Sequence, residues 1–280
     1  VEGKVDLQGQ GVFTLAFVSA AAVYLMGHGL RIARLALLIG QRSPGLRMVA
    51  SFHMMTAALS LAAPLKLGEL YRILEISSIA GGFVRGVVIV WLERAFDAAL
   101  ILAMLLLALT SASNGMSQGF FAVAALTAMF IAVTAIVVFV VPDNLRRMSV
   151  FIIRRYESEQ TVQVLRFIDL VRRAIAEAPR IVNGKFATIA TLTVLIWSCE
   201  AVAFALLLPV LDAAMQSALV ALLNFLDSLT RGATLVGVLE HGELATFSAN
   251  VLPYLLATQV PLAIIGFGAA IFYVRWRLQQ

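Results

Sequence analysis

Long uncharged hydrophobic runs alternate with short polar breaks along this chain. Leu7–Leu30, Ala98–Pro142 and Leu244–Val274 contain no Asp, Glu, Lys or Arg. About 20 apolar residues cross a bilayer as a helix, so each run is long enough to span. The middle run holds two spans parted by the polar stretch TSASNGMSQ at 110–118. A membrane barrel would show alternating segments of about ten residues instead. The pattern predicts an all-α, polytopic helical integral membrane protein forming a single transmembrane domain over residues 1–280.

The polar breaks differ in charge, and that difference sets an orientation. Segment 31–47 carries Arg31, Arg34, Arg42 and Arg47 without an acid, segment 142–185 carries nine basic and five acidic residues, and the tail carries Arg275 and Arg277. By the positive-inside rule these are expected to be cytoplasmic loops. Segments 110–118 and 238–250, without Lys or Arg, are expected outside, as is the N-terminus with Glu2, Lys4 and Asp6. This orientation accommodates five full spans, at 11–30, 95–110, 119–141, 186–210 and 251–274. Two hydrophobic pieces remain, 48–75 and 213–243, and are expected to be re-entrant or broken hairpins entering from opposite sides. Ala63-Pro64 with Gly68, and Arg231-Gly232 with Gly237, supply breakers. Non-helical backbone at membrane depth is tolerated where protein or a watery cavity covers it, and transporters often place such broken helices at mid-membrane.

Segment 143–180 repeats apolar residues near helical spacing, with Arg and Glu between them. It reads as two amphipathic helices on the cytoplasmic membrane surface, closed by Pro179.

Composition reinforces this picture. The chain is 61% hydrophobic and 13% charged, with mean hydropathy +0.94, whereas soluble domains are about one quarter charged. The net charge of +5 then concerns topology and anionic lipid, not nucleic acid. A lone cysteine, Cys199, excludes an internal disulfide. His28, His53 and His241 lie far apart and lack metal-ligand spacing, so no metal or cofactor is expected, and no GxSxG element appears.

Against this apolar background, Pro64–Asp97 is unusual. It concentrates Lys66, Glu69, Arg72, Glu75, Arg85, Glu93, Arg94 and Asp97. Ionisable groups at membrane depth are costly and mark polar pathways. Lys66, Glu69 and Arg72, spaced by three, share a helical face. Two cations about an acid suit a phosphate head group: Arg forks to its oxygens, Lys adds charge, and Glu holds the Arg. The same turn also serves as an interfacial anchor with snorkelling side chains. Glu93, Arg94 and Asp97 fall where helix 95–110 begins, as binding groups or as an ion network that fixes packing. Gly82 and Gly86, spaced as GxxxG, suit close helix contact. Glu200 lies inside a span, either for proton coupling or as a packing residue with Arg94 or Arg231 as partner. Asp227 and Arg231, an i,i+4 pair on the second hairpin, either neutralise each other or close the site from outside.

These residues resemble the flippase-like family, which includes the transmembrane region of bacterial lysylphosphatidylglycerol synthases. Its Pro followed by Gly-Glu/Asp-x-x-Arg is matched by Pro64, Gly68, Glu69 and Arg72, and its Glu-Arg-x-x-Asp by Glu93, Arg94 and Asp97. Val5-Asp6 before a helix that ends in basic residues also fits, and family members often carry a further helix earlier, so a segment before Val1 is expected. The resemblance extends over the whole chain but weakens in the second half. The family's Pro-Gly-Gly-x-Gly-x-x-Glu stretch is reduced here to Gly232, Gly237 and Glu240. The synthases' soluble aminoacyl-transferase domain is absent from this sequence.

The resemblance implies translocation of a lipid or lipid-linked sugar, or support of envelope glycan or lipid synthesis, in the bacterial inner membrane. The expected ligand is an anionic phospholipid or polyprenyl-linked lipid. Lys66, Arg72, Arg85, Arg94 and Arg231 are the expected head-group contacts, with Glu69, Glu93 and Asp97 orienting them or moving protons. An integral membrane enzyme acting on a polyprenyl-phosphate or phospholipid, and a non-transporting scaffold, are the alternatives. Self-association into a homo-oligomer stays open.

Overall fold

A computed structural model describes residues 7–40, 45–62, 67–111, 118–155, 159–207 and 244–278. Lys66, Asp227, Arg231 and the second hairpin at 213–243 lie outside the described residues. The described chain is all-α, with α1 Leu7–Ile39, α2 Leu46–Ala62, α3 Leu67–Ala80, α4 Phe83–Ser111, α5 Gln118–Phe139, α6 Val141–Arg155, α7 Glu159–Val182, α8 Phe186–Leu207 and α9 Leu244–Leu278. Stretches Leu15–Ile39, Phe186–Leu207 and Leu256–Arg275 are long and apolar enough to cross a membrane. Ala124–Phe139 and Val141–Arg155 form a fourth candidate, bent by 48° at their junction. Their outer faces carry large apolar side chains, among them Leu15, Val18, Val202, Ile264 and Phe267, as helices solvated by lipid require.

The largest core gathers one end of every inner helix. It joins Leu35, Leu38 and Ile39 of α1, Val49 and Phe52 of α2, Ile76 and Ala80 of α3, Val88 and Ile89 of α4, Ile181 of α7, Ile189 of α8 and Tyr273 of α9. The late part of α1, the early part of α2, the late part of α3 and the early part of α4 therefore meet at the same end. The α2–α3 hairpin returns to the end from which it starts. Polar bonds brace this end. Arg85 donates to Glu177 of α7 at 3.1 Å and to the Ile39 carbonyl at 3.4 Å. Lys185 donates to the Leu37 carbonyl at 2.8 Å, placing a cation on the carbonyl end of α1. The Tyr273 hydroxyl donates to Glu75.

Small residues set the crossings. A Cβ on Gly86 would lie 2.7 Å from the Ser77 backbone nitrogen, so α4 presses directly on α3. Gly68 approaches Ser60 where α3 meets α2, and Gly266 approaches Ala58 where α9 meets α2. Small side chains at such crossings let helix backbones meet. Gly82 departs from the GxxxG expectation: it has φ +149° and nothing near its Cβ position, so it makes the α3–α4 turn while Gly86 alone makes the contact.

Three sequence-derived boundaries are corrected. The expected loop 31–47 does not begin at Arg31, because α1 continues through the apolar run Leu35–Ile39 to Gly40, whose φ of +71° ends the helix. The expected helix 95–110 begins twelve residues earlier, at Phe83, which puts Glu93, Arg94 and Asp97 in a helix interior instead of at its start. Pro179 does not close the amphipathic segment but lies inside α7, which runs on to Val182. The amphipathic reading itself holds for both helices: α7 buries Thr161, Ile168, Ile175, Ala178 and Ile181 on one side, and α6, which buries no residue, separates its apolar and charged side chains onto opposite faces as strongly.

Candidate functional site

Above this core lies a cavity of about 730 Å³. One wall is charged, from α1, α3 and α4. The other is apolar, with Ala98 and Ile101 of α4, Leu126 and Phe130 of α5, and Leu262 of α9. An amphiphile has the same division.

The charged wall begins on α1. Tyr24, His28, Arg31 and Arg34 follow at spacings of four, three and three, so one helical stripe faces inward. Arg34 is 2% exposed. Its two terminal nitrogens reach Asp97 at 2.7 and 3.1 Å, and one also reaches the Thr193 hydroxyl at 2.9 Å. The Trp197 indole N–H points at the same carboxylate from 3.4 Å. Arg31 donates to Glu200 of α8 at 2.6 Å. The carboxylate inside the α8 span thus has a cationic partner on α1, a residue expected in a loop.

Arg72 of α3 donates to Glu93 of α4 at 2.6 Å. Glu93 is 2% exposed, and its second oxygen lies 3.9 Å from Arg34 Nε. At that separation the two atoms do not hydrogen-bond, and both are buried without a protein partner, as is Arg72 Nε. One carboxylate therefore stands between two guanidiniums and is fully engaged by one of them. Arg94 is more open, with 47% side-chain exposure and its Nη1 4.0 Å from Asp97.

The fold also brings together two histidines 25 residues apart. His28 Nδ1 lies 3.1 Å from His53 Nε2, and Arg31 Nη1 lies 3.3 Å from His28 Nε2. The sequence reading treated these rings as unrelated. Among the described residues, no three His, Cys, Asp or Glu side chains cluster as a metal site.

Of the ten residues singled out from sequence, Arg72, Glu93, Arg94 and Asp97 line the cavity, and Glu200 joins it through Arg31. Arg85 does not line it: it serves the packed end with Glu177. Glu69 lies in the first turn of α3. Sequence reasoning missed His28, Arg31, Arg34 and His53. The signal was the uninterrupted apolar run after Arg34, which carries the helix, and its polar stripe, well past Leu30.

No family model, curated protein or solved structure matches the chain.

Proposed function

We propose that this protein is a multi-pass protein of the bacterial inner membrane that moves an anionic lipid or lipid-linked sugar across the bilayer, in the manner the flippase-like resemblance implies. In this reading five helices span and two broken hairpins, 48–75 and 213–243, frame the site. The observation that carries it is the two-sided cavity: four guanidiniums from α1, α3 and α4 on one side, aliphatic and aromatic side chains from α4, α5 and α9 on the other. Ions are retained at membrane depth where they face a polar pathway. A phosphate head group would take Arg31, Arg72 and Arg94 of the charged wall, and its chains would follow Ile101, Leu126 and Phe130. Arg72 is already bonded to Glu93, so binding requires exchange of partners, which keeps affinity modest and salt-sensitive.

A second reading rests on that same pairing. Arg31, Arg34 and Arg72 each hold a carboxylate at 2.6–2.7 Å, as an ion network fixing helix packing in a non-transporting scaffold would. Reconstitution into liposomes containing a fluorescent phosphatidylglycerol separates the two. Transport predicts that wild-type protein exposes inner-leaflet probe to an external quencher, and that Arg72→Gln and Glu93→Gln abolish this while keeping the wild-type elution profile. Equal probe exposure with and without wild-type protein would rule out transport of this lipid. Unchanged transport in both variants would remove the proposed site.

A further inference from the structure

The histidine pair has a polarity that its neighbours dictate. A guanidinium can only donate, so the contact from Arg31 Nη1 makes His28 Nε2 an acceptor. The proton of neutral His28 is then on Nδ1, and it donates to His53 Nε2 at 3.1 Å. His53 in turn carries its proton on Nδ1, which is buried and has no partner in the protein. The result is a one-way chain from Arg31 through His28 to His53, with both rings neutral and both in the Nδ1–H tautomer. Arg31 is anchored at its other nitrogen by Glu200.

This chain leaves one lone pair to be uncovered, His28 Nε2, and Arg31 covers it. His28 is 5% exposed and His53 1%, yet both line the cavity with Arg31. The groups around the pair come from four helices. Tyr24 packs its ring edge-on to His28, with centroids 4.9 Å apart, and Arg31 and Arg34 share α1. Arg72 of α3 lines the same cavity as both rings. Glu93 and Asp97 of α4 neutralise Arg72 and Arg34, and Glu200 of α8 neutralises Arg31. No carboxylate among the described residues contacts either ring. An anion entering the cavity offers Arg31 a second partner.

We propose that the His28–His53 pair is a proton-binding site coupled to the ligand: when a phosphate-type oxyanion draws Arg31 off His28 Nε2, a proton from solution adds to that lone pair. The donor is hydronium or a buffer acid, whose conjugate base stays in bulk solution; no other covalent bond changes, and the new positive charge is shared along the Nδ1–H···Nε2 bond to His53. The inference rests on reading the cavity as an anion site, and it assigns that site a co-bound proton. Release of the anion returns Arg31 to His28 and expels the proton, so the ligand and one proton bind and leave together.

Two measurements on the whole protein in detergent test this. Nitrogen-15 spectra of labelled histidines, assigned with His53→Gln or His28→Gln, report tautomers without any ligand. Both rings are expected as Nδ1–H, and an Nε2–H signal for His28 overturns the proposal. Titration calorimetry with dihexanoyl-phosphatidylglycerol, in buffers of differing ionisation enthalpy near neutral pH, counts protons taken up. Uptake approaching about one proton per lipid is expected, and in His28→Gln the heat of the weaker residual lipid binding should no longer depend on the buffer. Binding without uptake overturns the coupled proton and leaves the translocation reading standing. No binding at all removes both.

Discussion

Arg34 and Asp97 face each other through two parallel hydrogen bonds, 2.7 and 3.1 Å, although 63 residues separate them in the chain. Planar guanidinium and carboxylate fit each other in this way. The pair ties α1 to α4 and, through Thr193, to α8.

Removing one partner leaves the other charge buried and alone. Arg34→Met should therefore destabilise the protein by about 3–5 kcal/mol, read by denaturant unfolding in micelles. Asp97→Leu added to Arg34→Met should recover much of the loss, because the apolar pair leaves no stranded charge. A double variant as unstable as the sum of both single variants would contradict this account.

Two glycines in apolar helices should respond in opposite directions to the same methyl group. A Cβ on Gly266 would sit 2.7 Å from the Met54 carbonyl oxygen. Gly266→Ala must push α9 off α2, at a cost of about 1–3 kcal/mol. Gly29 has nothing within 4 Å of its Cβ position, and Gly29→Ala should stabilise α1 by roughly 0.5–1 kcal/mol through helix propensity. Thermal melts that rank the two variants the other way would refute the crossing assigned to Gly266.

On the exposed face of α7, Asp169 accepts hydrogen bonds from Arg173 and Arg172. The bond from Arg173, then its charge and Arg172, hold the carboxyl below its ordinary 3.8. A depressed folded-state value means the contribution is present above the unfolded value and lost as pH falls through the folded one. Carbon-13 titration of the Asp169 carboxyl should give a midpoint below 3.8, rising toward the ordinary value in Arg173→Gln. An unchanged midpoint in that variant would show that the pairing is absent in solution.

Hydropathy alone determined that the chain is helical and that Phe186–Leu207 and the segment ending near Arg275 are long apolar helices. Transfer of apolar residues into lipid is a local, additive property, legible residue by residue. That Glu93 and Asp97 stand out was legible for the same reason, since the cost of a carboxylate in an apolar run needs no partner to be recognised. Which cation meets which acid was a different matter. Arg31 and Arg34 read as loop charges because positive charge is the usual mark of a cytoplasmic turn, and only the packing of α1 against α8 and α4 set them beside Glu200 and Asp97. Likewise, nothing local distinguishes His28 and His53 from isolated histidines. Their contact exists because α2 folds back beside α1, and a hydrogen bond between helices depends on distances that no single stretch of sequence contains.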